Sequence, residues 1–202
     1  MLKDHQSGSC GSPDPHSKKM KYSEGYHFIT IVTNKRVEVF KYKDTALIAI
    51  KTILFYEKRG DFNLEGYIIM PDHIHMICDL PDNEKPSETK LPLGSNRSPD
   101  LSGIIRDIKK YIAKETIRAL VTLDKEMLLT IRLPKPKKRK HTYQLWEPDY
   151  YDFNILTDSK LNEKLKYMYE NPLRKGLCDN PFDYEFSDVK RYFGSGDPKL
   201  PP

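Results

Sequence analysis

Two short apolar runs of β type, Leu64 to Met70 and His73 to Asp79, are separated only by Pro71-Asp72. Proline and aspartate favour a turn, so this stretch reads as two strands and commits the middle of the chain to a sheet. Alternation along an extended chain then puts His73 and His75 on one side, with Ile74, Met76 and Cys78 on the other. Two neutral imidazoles side by side are half of a metal site. Read alone, they are equally a pair of surface histidines on a half-exposed strand.

Around this centre the periodicity predicts further elements. Tyr26 to Val32 is β-rich and reads as a strand. Leu47, Ile48, Ile50, Ile53 and Leu54 recur at helical spacing from Thr45 onward, with an end near Gly60. Leu101, Ile104, Ile105, Ile108 and Ile112 signal a second helix, and Arg106, Lys109 and Lys110 face solvent on it. Met127 to Leu133 reads as a small extra strand, and Tyr150 to Leu156 as another. A last helix starts after Thr157-Asp158, either of which caps it, and runs to about Asn171-Pro172. The order β-α-β-β-α-β-α points to an α+β sandwich: a four-stranded antiparallel sheet with helices on one face, the other face left free for a site.

Between these elements, residues 1–24 and 195–202 read as tails, with 1–24 disordered, and one domain spans 25–194. Loop insertions are expected at about 81–100 and 124–143, the second containing the basic run from Pro134 to His141. The 202 residues suffice for one domain with a real core. A net charge of +5 is mildly basic and fits a polyanionic partner. No stretch is apolar for long enough to cross a bilayer, and the N-terminus lacks the apolar run of a secretion signal. Cys10, Cys78 and Cys178 fit no zinc spacing and suggest reduced thiols, so the expected location is cytoplasmic.

The last helix carries the second half of a site. Leu161, Leu165 and Met168 form its apolar stripe, with Tyr169 at the edge as a packing residue. Tyr167 lies on a different face, beside Lys160, Lys164 and Asn171, the last being its i+4 neighbour. A tyrosine turned from the core, next to an amide and two lysines, is a candidate for chemistry, and equally an ordinary exposed tyrosine.

Five blocks together resemble a known family. Tyr26-His27-Phe28, Met70 to His75, Leu101 to Lys109, Leu145 to Asp152 and Lys166 to Leu177 occur in the order of the single-tyrosine transposases of the HUH (His-hydrophobic-His) superfamily. The nearest likeness is to the REP-associated tyrosine transposases. That resemblance implies a ferredoxin-like sheet, His73 and His75 as metal ligands, Asn171 in the position of the third protein ligand, and Tyr167 as nucleophile. It implies Mg²⁺ or Mn²⁺ as cofactor, although two imidazoles lean toward Mn²⁺ or a softer ion such as zinc. It also implies single-stranded or hairpin DNA as substrate and a covalent link to the 5′ end. The chain would act as a monomer or a homodimer, associated with the nucleoid.

Chemistry makes sense of these residue types. A phosphodiester repels nucleophiles, so charge on its oxygens must be neutralised and the attacker held in line. Lys109, Lys110, Lys135, Lys137, Lys138, Arg139 and Lys140, with Lys160 and Lys164, are the candidate DNA contacts. Tyr143, Tyr150 and Tyr151 are candidates to stack unpaired bases, whereas Trp146 reads as structural. The reading is a DNA nicking and joining enzyme. Its rivals are a transposase-derived protein that binds structured DNA or RNA without cleaving, and a zinc hydrolase that uses water.

Overall fold

The computed structural model describes residues 25–80, 100–134 and 142–193. The expected tails, the 81–100 loop apart from Asp100, and the basic residues 135–141 lie outside them. Strands β1 (Tyr26–Val32), β2 (Asn63–Met70), β3 (His73–Asp79) and β4 (Tyr151–Ile155) form one antiparallel sheet in the order β2-β3-β1-β4. Long helices are α1 (Lys43–Lys58), α2 (Leu101–Leu123) and α4 (Asp158–Tyr169). Shorter ones are α3 (Lys125–Thr130), α5 (Asn171–Arg174) and α6 (Val189–Phe193). The α+β, four-stranded antiparallel expectation holds.

Strand alternation decides what each face carries. Ile29, Ile31, Ile69, Ile74 and Met76 point to one side and pack with Ile53 of α1 and Ile105 and Ile108 of α2, all fully buried. The face expected to stay free presents Phe28, Ile68, Met70 and Ile77, an apolar strip that must itself be covered. Helix α4 covers it with Leu161, Leu165, Met168 and Tyr169. The helices therefore lie on both faces: α1 and α2 on one, α4 and α6 on the other.

Local signals set the helix ends. Asp100 accepts from the Ser102 N–H at the start of α2, and Thr157 accepts from the Lys160 N–H at the start of α4. Met127 to Leu133 is not a strand but mainly helix α3, followed by an isolated bridge between Arg132 and Tyr143. Asp124 decides this. It closes α2, caps α3 by accepting from the Met127 N–H at 2.9 Å, and accepts from the Tyr42 hydroxyl at 2.7 Å. Those bonds outweigh an apolar run that suits either conformation.

Helix α4 lies unusually close to β2. A Cβ at Gly66 would meet the Tyr169 hydroxyl at 2.6 Å and the Met168 methyl at 2.9 Å. Asp188, buried just before α6, accepts from the Tyr67 N–H at 2.8 Å and from the Tyr169 hydroxyl at 2.9 Å. The segment that carries Asp188 also lines the outer edge of β2. The Ile69 N–H donates to Phe186, the Asp188 N–H to Tyr67, and the Tyr184 hydroxyl to the Ile69 carbonyl. The exposed edge of β2 is thus closed by the chain itself.

Candidate active site

His73 and His75 share one face of β3, a central strand, and both are buried. Their ring centroids are 4.6 Å apart and their planes nearly perpendicular. Register across the sheet supplies the neighbours. Thr30 of β1 pairs with His75, and its hydroxyl shares a 2.8 Å hydrogen bond with His75 Nδ1. Phe28, one step along β1 on the same face, stacks on the His75 ring at 5.0 Å. His73 Nδ1 donates to Asp72 Oδ1 at 2.5 Å, and Arg36 donates to the other oxygen of that carboxylate at 3.0 Å.

Both Nδ1 atoms are therefore taken, which leaves the Nε2 atoms to face the site. His75 Nε2 is buried with no hydrogen-bond partner, and burial holds its pKa down at about 3, so the ring is neutral at physiological pH. Burial pushes the Asp72 carboxyl up, yet hydrogen bonds and charge from His73 and Arg36 outweigh it and hold the group below the usual carboxylate range. Asp72 is thus an anion that fixes the proton on His73 Nδ1.

The late helix arrives over His75 and Phe28. The Tyr167 ring lies 5.9 Å from that of His75 and 6.0 Å from that of Phe28, in edge-on contacts. It is 45% exposed, so a polymer substrate can reach it. Arg174 lies 4.6 Å from the centre of the ring and donates to the Tyr167 carbonyl, while Lys164 lies 5.9 Å away. Asn171, one turn on, is buried, and its Nδ2 has no partner. A half-turn of that amide would present its oxygen in the same place.

The partnerless His75 Nε2 and the Asn171 amide are buried polar groups of the kind a divalent ion satisfies, and His73 shares the face of β3 with His75. Among the described residues, no group of three or more His, Cys, Asp and Glu forms a metal site.

The other residues that the sequence offers for DNA contact fare unevenly, in ways helical spacing does not reveal. Lys109 spends its ammonium on the carbonyls of Glu147, Pro148 and Asp149, at 3.0, 3.0 and 3.2 Å. It ties α2 to the segment before β4 and does not face solvent freely. Lys110 is exposed on α2, across the sheet from the histidines. Lys160 pairs with Glu163 at 2.5 Å. Lys164 stands over the rings of Phe28, Phe153 and Tyr167. Lys135, Lys137, Lys138, Arg139 and Lys140 lie outside the described residues. Tyr151 pairs with Thr30 on the histidine face and is 58% exposed, whereas Trp146 is buried, as its aromatic character suggests. Sequence reasoning misses Thr30, Arg36 and Arg174, because their importance depends on strand register and on turns that no periodicity encodes.

The chain is similar to the family described as IS200-like transposases, whose profile matches residues 20–98, the stretch that holds β1, α1, β2 and β3. More particularly, the chain is similar to a protein of Haemophilus influenzae named as a REP-associated tyrosine transposase. The two are 21% identical over 169 residues, covering 83% of this chain and 81% of that protein. The solved structure of a REP-associated tyrosine transposase bound to a REP hairpin has the same fold. Its TM-score is 0.61 at 19% identity, over 94% of this chain and 89% of that one. The resemblance to the REP-associated tyrosine transposases read from the five sequence blocks is borne out. No helix among the described residues is long and apolar enough to cross a membrane.

Proposed function

We propose that the protein is a metal-dependent endonuclease and strand transferase on single-stranded or hairpin DNA, with Tyr167 as nucleophile and His73, His75 and Asn171 as metal ligands. The observation that carries this reading is the contact of an exposed phenol from α4 with the His75 ring, which itself meets the His73 ring on β3. A divalent ion, Mg²⁺ or Mn²⁺, would neutralise charge on a phosphate oxygen when bound there. The hairpin as substrate is supported by what the similar solved structure is bound to.

The chain's own residues account for the rest. Tyr167 Oη attacks phosphorus, the bond to the 3′ oxygen breaks, and the phenolic proton is given up as the departing oxygen gains one. The product is a phosphotyrosine diester on the 5′ end and a free 3′ hydroxyl. Because one diester replaces another, a 3′ hydroxyl can later attack it, rejoin strands and restore the phenol. Arg174 and Lys164, flanking the ring, supply positive charge where the phosphate must sit. Phe28 and Met168 support the helix and sheet behind it.

The test is incubation of labelled hairpin oligonucleotides with the protein and Mn²⁺, followed by a denaturing gel. A band of DNA joined to protein is expected, absent in Tyr167→Phe and after chelation. No adduct with tight hairpin binding would establish the non-cleaving reading instead. Turnover that survives Tyr167→Phe would establish the water-using hydrolase.

A further inference from the structure

The turn after β1 contains an oddity that the proposed chemistry does not use. Lys35 and Arg36 are consecutive non-glycine residues with positive φ, at 56° and 54°, a left-handed conformation that side chains disfavour. The turn is held there from several sides. Thr33, fully buried, donates through its hydroxyl to the carbonyls of Val37 and Asp72, both at 2.8 Å, and through its N–H to Asp72 at 2.9 Å. The Asn34 N–H donates to the Leu145 carbonyl at 2.7 Å, and the Lys35 N–H to a Glu147 carboxylate oxygen at 2.8 Å. What the turn delivers is one guanidinium, 3.0 Å from Asp72 Oδ2.

An exposed ion pair adds little stability on its own, and strained backbone persists where function uses it. Asp72 bridges Arg36 on one oxygen and His73 on the other. We infer that Arg36 is a positioning residue, which clamps Asp72 so that His73 keeps its proton on Nδ1 and presents a bare Nε2. The inference rests on the metal site proposed above. Partners of this kind fix both the tautomer and the ring orientation of a metal-binding histidine. Arg36 itself touches neither ion nor phenol. Its planar fork suits the task better than a lysine's point charge.

Arg36→Asn is the informative variant, since asparagine tolerates a left-handed backbone and removes only the guanidinium. Two readouts are taken. In metal-free protein, nitrogen-15 NMR of the imidazoles reports the His73 tautomer and the exchange of its Nδ1 proton with water. Calorimetry with Mn²⁺ alone reports affinity. Wild type should show His73 protonated at Nδ1 with slow exchange. Arg36→Asn should exchange several-fold faster and bind Mn²⁺ about tenfold more weakly, with unchanged backbone spectra. Arg36→Lys should recover part of both effects, and Asp72→Ala should mix the tautomers. Unchanged exchange in Arg36→Asn, or a wild-type His73 protonated at Nε2, would overturn the relay. Wild type that binds no Mn²⁺ would remove the metal site, while the exchange measurement would still decide the relay.

Discussion

His75 lies buried against Phe28, its Nδ1 bonded to Thr30 and its Nε2 bare. That environment refuses a proton until pH falls to about 3, whereas an unfolded chain accepts one near 6.5. Between those values the unfolded state binds more protons, so stability attributable to this residue is full above about 6.5 and declines as pH drops. The expected slope is at most about 1.4 kcal/mol per pH unit. Proton NMR of the folded protein should show the His75 ring resonance flat from pH 8 to 5. A midpoint near 6.5 would contradict the burial argument. Asn171 and Tyr167 lie one helical turn apart, so truncating them separates the proposed ligand from the proposed nucleophile. Asn171→Ala should weaken Mn²⁺ binding while leaving Tyr167 in place, and Tyr167→Phe should leave binding intact while abolishing the adduct.

At the scale of elements, the docking of α4 on β2 sets where the phenol stands. Gly66→Ala puts a methyl within 2.6 Å of the Tyr169 hydroxyl, a contact with no room to relax cheaply. A loss of about 1–3 kcal/mol is expected in chemical denaturation, partly recovered by adding Tyr169→Phe. Asp188 gives a second lever. Burial raises its pKa to about 6, against which the Tyr67 N–H and Tyr169 hydroxyl work only in part. Between 3.8 and about 6 the folded state holds a proton that the unfolded state releases, so its contribution is largest in acid and fades as pH rises, opposite in sign to His75. Asp188→Asn keeps an acceptor and removes the charge. Its stability relative to wild type should therefore improve from pH 4.5 to 7, and a constant difference would show that Asp188 does not titrate there.

For the molecule as a whole, the strands and the long helices are readable because each has one clear period: β1 and β3 end where the alternation of Tyr26–Val32 and His73–Asp79 does. Which helix covers which face is not readable, since Leu165 and Met168 advertise a buried side without naming Ile68 and Phe28 as its partner. The candidate site divides in the same way. The histidine pair and Tyr167 follow from local spacing, but Thr30 depends on register. The bonds from Lys109 to the Glu147–Asp149 carbonyls are equally hidden, because a helical wheel shows only which side of α2 the residue leaves from. A bound ion would link these distant parts thermodynamically. At a hundred times its dissociation constant, Mn²⁺ should stabilise the fold by about 2.7 kcal/mol, seen as a rise in Tm that EDTA reverses and His75→Ala abolishes. No shift would mean that the imidazoles do not hold metal.

The carboxylate that anchors α4 is Asp188, nearly twenty residues downstream of the helix it holds. A ribosome therefore finishes both imidazoles and the phenol well before it makes the anchor that fixes their relative position. Chains that stop between Tyr169 and Asp188 would carry both imidazoles and the phenol yet lack the brace between them, so the groups of the candidate site are made before the hold that sets their spacing.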